Sequence, residues 1–224
     1  MLTIFCGYDD RESVGTHVFM SSVLERSSVP VAFVPIKMQG VKDGGTNQFT
    51  LSRFLVPYLM DYRGEAIFAD AADMICLGDI AELAETLKEQ QHAVKVVKHK
   101  YSTRNAVKYI GTPMQSANQD YDRKNWASLM LIDCEHAAWR TMTPKAVNTF
   151  KTLELLQLRF LDDLEIGELP QEWNRLVDEG QAIEGAKILH WTAGIPGFEH
   201  YKNARGADFW RQECKRTTHP LLTL

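Results

Sequence analysis

Glu65-Ala-Ile-Phe-Ala69, Asp70-Ala-Ala-Asp73 and Met74-Ile-Cys-Leu77 follow one another without a break. A short apolar run stopped by turn-forming carboxylates reads as a buried strand ending at an acidic bend. The same pattern recurs on both sides of it. Leu2–Cys6 is an apolar run that ends at Gly7-Tyr8-Asp9-Asp10, and Val31–Ile36, Ala93–Val97, Ala127–Ile132 and Ala186–His190 read as further strands. Helical spacing appears between them. Glu12–Arg26 places Val14, His17, Val18, Ser21 and Leu24 on one stripe, and Thr50–Tyr62 does the same with Leu51, Phe54, Leu55, Tyr58 and Leu59. Pro57 should bend that second helix. Asp79 is placed as the N-cap of a helix ending near Gln91. Lys37–Asn47 reads as a polar, glycine-containing loop, Lys98–Asn125 carries little periodicity, and 135–180 is expected to be mostly helical. Strands alternating with helices predict one α/β domain over residues 1–224, a mixed, mostly parallel sheet flanked by helices.

Composition narrows the function classes. The 224 residues include 29 acidic and 25 basic side chains, a net charge of −4, which lacks the basic excess of a general nucleic-acid binder. Hydrophobic residues make up 45%, enough for a packed core. No apolar run reaches the ~20 residues needed to span a bilayer, so no transmembrane segment is expected. Met1-Leu-Thr-Ile-Phe has neither a basic leader nor a small-residue cleavage site. Cys6, Cys76, Cys134 and Cys214 are scattered, without zinc-ligand spacing. Reduced thiols and a cytoplasmic location are the expectation. The glycine fingerprints of dinucleotide-binding and P-loop proteins are absent.

Chemistry is expected beyond the carboxyl ends of the strands, where open α/β sheets bind ligands. Tyr8-Asp9-Asp10, Asp70-Ala-Ala-Asp73 and His190-Trp191 all fall there. If the Asp70 and Asp73 carboxylates converge, their repulsion is about 4 kcal/mol at ~4 Å with an effective dielectric of ~20. Such a pair needs a cation, a basic partner or a shared proton. No basic residue lies between Glu65 and Asp79. Oxygen ligands suit Mg²⁺ or Mn²⁺, and imidazole from His190 fits Mn²⁺. The other readings stay open: turn carboxylates capping amides, and a hydrogen-bonded core histidine. Lys95–Lys124 carries seven basic residues against two acids, a local charge of +5 suited to a diphosphate or an anionic acceptor.

Phe5-Cys-Gly-Tyr-Asp-Asp10, Ser52-Arg53, Ile67-Phe-Ala-Asp-Ala-Ala-Asp-Met74, Asn125–Asp133 and Ile188-Leu-His-Trp-Thr-Ala-Gly-Ile-Pro-Gly-Phe198 occur in an order that resembles small glycosyltransferases with the GT-A fold. Within them, the chain is most similar to family 8, the retaining group of lipopolysaccharide galactosyltransferases and glycogenin. The resemblance covers roughly residues 2–200. It implies transfer of a sugar from a nucleotide-sugar donor, a UDP-sugar in this family, to a glycan or other hydroxyl acceptor, with Mn²⁺ (or Mg²⁺) on the diphosphate. It implies Asp70, Asp73 and His190 as metal ligands. It places Gly7, Tyr8, Asp9, Asp10, Arg53, Asp70, Ser128 and Gly194 at the nucleotide and donor sugar, Asn125, Asp162 and Asp163 at the reacting sugar, and 135–180 on the acceptor side. One feature departs from the family: two residues separate the aspartates instead of one. Strand neighbours i and i+2 share a face and i and i+3 do not, so both carboxylates reach one ion only if the chain turns at Ala71-Ala72. Two rival readings remain: a sugar-nucleotide or glycan binding protein without catalysis, favoured by that spacing, and a metal-dependent nucleotidyltransferase, disfavoured by the missing glycine-rich basic N-terminal signature.

Overall fold

The computed structural model describes residues 1–37, 40–42, 44–86 and 92–218. Its strands are β1 (Leu2–Gly7), β2 (Val31–Ile36), β3 (Glu65–Ala69), β4 (Met74–Cys76), β5 (Val94–Val96), β6 (Val107–Lys108), β7 (Ser116–Ala117), β8 (Leu129–Asp133), β9 (Ile166–Glu168), β10 (Arg175–Leu176) and β11 (Ile188–His190). The helices are α1 (Ser13–Arg26), α2 (Val56–Leu59), α3 (Ile80–Glu85), α4 (Pro144–Val147), α5 (Thr152–Leu156) and α6 (Ala207–Thr218). The main sheet has the order β2-β1-β3-β8-β5-β9. Only β8 runs against the rest, pairing antiparallel with β3 and β5. This is the expected mixed, mostly parallel sheet with flanking helices.

Both faces of that sheet are covered, so its strands are apolar on both sides. Phe5, Phe68 and Met130 point to one core with Phe54 and Trp139, while Ile4, Ile67 and Leu131 point to the other with Phe19 and Val23. A second, smaller sheet, β10-β11-β4, sits beyond the end of β3. It is reached through the acidic bend at residues 70–73.

Several helical expectations are corrected. The buried face of α1 is Gly15, Thr16, Val18, Phe19, Ser22 and Val23, while Val14 and Leu24 are exposed. Small residues decide this: a Cβ on Gly15 would lie 1.9 Å from the Ala72 carbonyl oxygen, and Ser22 Oγ accepts a hydrogen bond from the Cys76 amide. The helix expected over 50–62 is a 3-10 turn, Ser52–Leu55, followed by the single turn α2. Pro57 starts that turn, where its missing N–H costs nothing. Asp79 caps α3 by accepting from the Ala81 amide; the expected end near Gln91 lies outside the described residues. Segment 135–180 holds only short helical turns and also supplies β9, at the sheet edge, and β10. No described helix is long and apolar enough to cross a membrane.

Candidate active site

Pairing geometry builds the site. The Asp70 amide donates to the Ser128 carbonyl, continuing the β3–β8 ladder by one bond. The chain then turns. Ala71 is left-handed at φ 57°, the Ala72 amide donates to the Asp70 carbonyl and the Met74 amide to the Ala71 carbonyl. This is the bend that the i, i+3 spacing required. β11 pairs with β4 so that His190 lies opposite Met74, and the Trp191 amide donates to the Asp73 carbonyl. One ligand atom each from Asp70, Asp73 and His190 therefore falls within 4.8 Å of the others.

These three residues line a cleft of about 310 Å³, with Arg53, Asn125 and Ser128 on its walls. Asp70 Oδ1 and Asp73 Oδ1 are buried and receive no hydrogen bond among the described residues. Arg53 Nη1 lies 2.7 Å from Asp70 Oδ1 as an ion pair. The guanidinium makes its aligned hydrogen bonds elsewhere, to the Ala127 and Thr50 carbonyls. Phe49 and Phe68 pack beside it, their ring centres 5.3 and 5.0 Å away. Burial pushes the Asp70 carboxyl up to about 6, with Arg53 opposing and Asp73 adding to the rise. His190 is fully enclosed. Burial works against its charge, but Asp73, Asp70 and Asp178 outweigh it and raise the imidazole's pKa. Its Nε2 stands 3.4 Å from Asp73 Oδ1.

Two converging carboxylates and one imidazole are a hard-cation donor set, and these residues fit Mn²⁺ or Mg²⁺. A cation would bind two buried carboxylate oxygens that accept no hydrogen bond among the described residues.

Other expected residues fall elsewhere. Asp9 is buried, and Arg11 and the Gln48 amide occupy both of its oxygens, holding its carboxyl below the usual range. It shapes the β1 loop. Asp10 is exposed and paired with Lys37 at 2.6 Å, and Tyr8 is half-buried with Lys37 Nζ 5.9 Å from its ring centre. Gly7 is needed because a Cβ there would meet the Phe49 ring at 2.4 Å. Gly194 lines a separate cavity of about 410 Å³, against the Tyr201 ring.

Asp162 and Asp163 are exposed and do not line the cleft. Asp162 is the N-cap of the turn Asp163–Glu165, and Asp163 is ion-paired with Arg123. Of the basic segment, Lys108 and Lys124 reach the cleft. Lys124 is buried, which lowers its pKa, and its Nζ donates to Asn118 Oδ1 and the Gln119 carbonyl.

Two residues escaped the sequence reading. Glu12 is buried; Asn47 Nδ2 donates to its Oε1, while Oε2 has no hydrogen-bond partner among the described residues. Burial, then Asp73 and Asp9, push its carboxyl well above the ordinary value. In sequence it is one more member of the charged run Asp9-Asp10-Arg11-Glu12, with nothing to mark it as buried. Asn174 is fully buried and hydrogen-bonds His190 at 2.9 Å. Its signal in the sequence is its place in Leu169-Pro-Gln-Glu-Trp-Asn174, a stretch that resembles the glycosyltransferase family but gives the asparagine no role.

The fold is that of GT-A glycosyltransferases. The bifunctional glycosyltransferase WbbM superposes with a TM-score of 0.66 at 11% identity, covering 95% of this chain and 49% of WbbM. The galactosyltransferase LgtC, solved with donor and acceptor sugar analogues, gives 0.63 at 11% identity with 96% of each chain covered. GlyE of Streptococcus pneumoniae gives 0.62 at 13% identity, covering 95% of this chain and 60% of GlyE. The chain thus spans about half of WbbM and somewhat more of GlyE. No protein-family model matches it. In sequence, the chain is 35% identical over 227 residues to Protein CDI of Arabidopsis thaliana, covering 95% of this chain and 85% of that protein. The chain belongs to the family of Protein CDI.

Proposed function

We propose that this protein transfers a sugar from a nucleotide-sugar donor, a UDP-sugar, to a hydroxyl acceptor on a glycan, with retention of anomeric configuration. One observation carries the reading: Asp70, Asp73 and His190 converge in a cleft at the strand ends of a GT-A fold. They would hold Mn²⁺ or Mg²⁺. What a bound divalent ion supplies is charge neutralisation for the departing diphosphate, worth several kcal/mol. Arg53 keeps Asp70 ionised and fixed. Lys108 lines the cleft, has no ion pair among the described residues, and would meet the phosphates. Tyr8 offers a half-exposed ring for the base. The four free cysteines fit a reducing, cytoplasmic setting.

The binding-only reading drew on the wider aspartate spacing, and the turn at Ala71 absorbs that extra residue. A screen of nucleotide sugars with and without Mn²⁺, following nucleoside diphosphate release, tests the proposal. Release from no donor in the presence of Mn²⁺ would overturn it.

A further inference from the structure

His190 has two nitrogens, and only one can face the acids. A chain of buried hydrogen bonds decides which. Ser128 Oγ donates to the Asn125 carbonyl at 2.7 Å, so its lone pairs are left to accept. Asn174 Nδ2 donates to that Oγ at 2.9 Å, which points Asn174 Oδ1 the other way. Oδ1 lies 2.9 Å from His190 Nδ1 and has no proton to give. His190 must therefore donate from Nδ1. In the neutral ring this leaves Nε2 bare, 3.4 Å from Asp73 Oδ1. A lone pair facing a carboxylate is unfavourable unless a proton or a cation lies between them. Ser128, Asn174 and His190 are each at most 2% exposed, so water does not substitute for any link.

We infer that Asn174 is a positioning residue that locks His190 in the Nδ1-protonated form and aims Nε2 at the cation site. The inference rests on the metal-site reading above, but the tautomer is a property of the metal-free protein. Outer-sphere partners of metal-binding histidines commonly change affinity about 10- to 100-fold when removed. Asn174→Leu removes the acceptor at similar volume, and Asn174→Asp keeps an oxygen facing Nδ1. Ser128→Ala loosens the relay one step back, should Asn174→Leu fail to fold.

Two measurements test it. ¹⁵N spectra of the metal-free protein in alkaline buffer should show the neutral His190 ring protonated at Nδ1 in the parent protein and in Asn174→Asp, and a tautomer mixture in Asn174→Leu. Calorimetry with Mn²⁺ alone should show binding weakened about 10- to 100-fold by Asn174→Leu and largely restored in Asn174→Asp. A folded Asn174→Leu variant with the parent tautomer would overturn the inference, as would unchanged Mn²⁺ affinity in that variant when the parent protein binds the ion. If the parent protein ignores Mn²⁺ but its tautomer depends on Asn174, the proposed metal site fails and the positioning role stands.

Discussion

At the end of β3, Asp70 and Asp73 keep two buried oxygens without a hydrogen-bond donor among the described residues, one of them beside Arg53, whereas before β9 Asp162 and Asp163 are exposed and Asp163 is ion-paired with Arg123. The two pairs look alike in the sequence. What separates them is burial in the cleft, since Asp70 and Asp163 each face an arginine. A buried, under-satisfied acid in a cleft is a candidate to hold a cation.

The sharpest way to break this contrast is to remove one acid from each pair. Asp73→Ala should lower donor turnover about a thousandfold, since several kcal/mol of charge stabilisation depend on that pocket. The variant should remain folded, because a buried like charge has been removed. Asp163→Ala should leave turnover within about twofold, as surface changes rarely exceed ~0.5 kcal/mol. Nucleoside diphosphate release measures both, and equal losses would erase the distinction.

Counter-ions sharpen it next. Arg53→Leu leaves Asp70 buried without its partner and should cost about 3 kcal/mol of unfolding free energy in denaturant titration. Lys37→Ala breaks an exposed pair with Asp10 and should cost less than about 1 kcal/mol. Packing beneath the bend has a smaller effect. Gly15→Ala drives a methyl group into the Ala72 carbonyl and should cost about 1–3 kcal/mol, with weaker Mn²⁺ binding, by thermal denaturation and calorimetry.

The smallest effect is the pH response of the metal-free protein. Asp70 has a folded pKa raised to about 6, so the folded state binds its proton more tightly than the unfolded chain does. That contribution is fully present below the unfolded carboxylate value near 3.8 and is lost as pH rises through about 6. His190 is also raised, so its contribution is present below 6.5 and is lost above that, as pH passes its folded value. Asp9 has the opposite sign: its pKa is lowered, and its contribution is lost as pH falls below 3.8. Unfolding free energy should therefore decline from weakly acidic to neutral pH in the parent protein, and the decline should shrink in Asp70→Asn.

Most of the sheet was legible because β1, β2, β3 and β8 are apolar runs long enough to stand out. β9 was not: Ile166-Gly-Glu168 has no periodicity, and it becomes a strand only because Val94–Val96 lies beside it. The α1 stripe was misjudged because its packing face relies on Gly15, Thr16 and Ser22, which hydrophobicity does not mark. At the site, Asp70, Asp73 and His190 were visible as polar residues ending apolar runs. Glu12 and Asn174 were hidden, since their importance comes from partners 35 and 16 positions away.

Ala71 carries a broader consequence. A left-handed alanine costs about 1 kcal/mol, a small amount against what the cleft gains from having both carboxylates in reach. An added residue between two converging acids can thus be folded out of the way, provided a neighbouring helix presents a glycine to the bulge. Searches and redesigns keyed to a fixed count of letters between ligands will miss or damage such centres; those keyed to convergence in space will keep them.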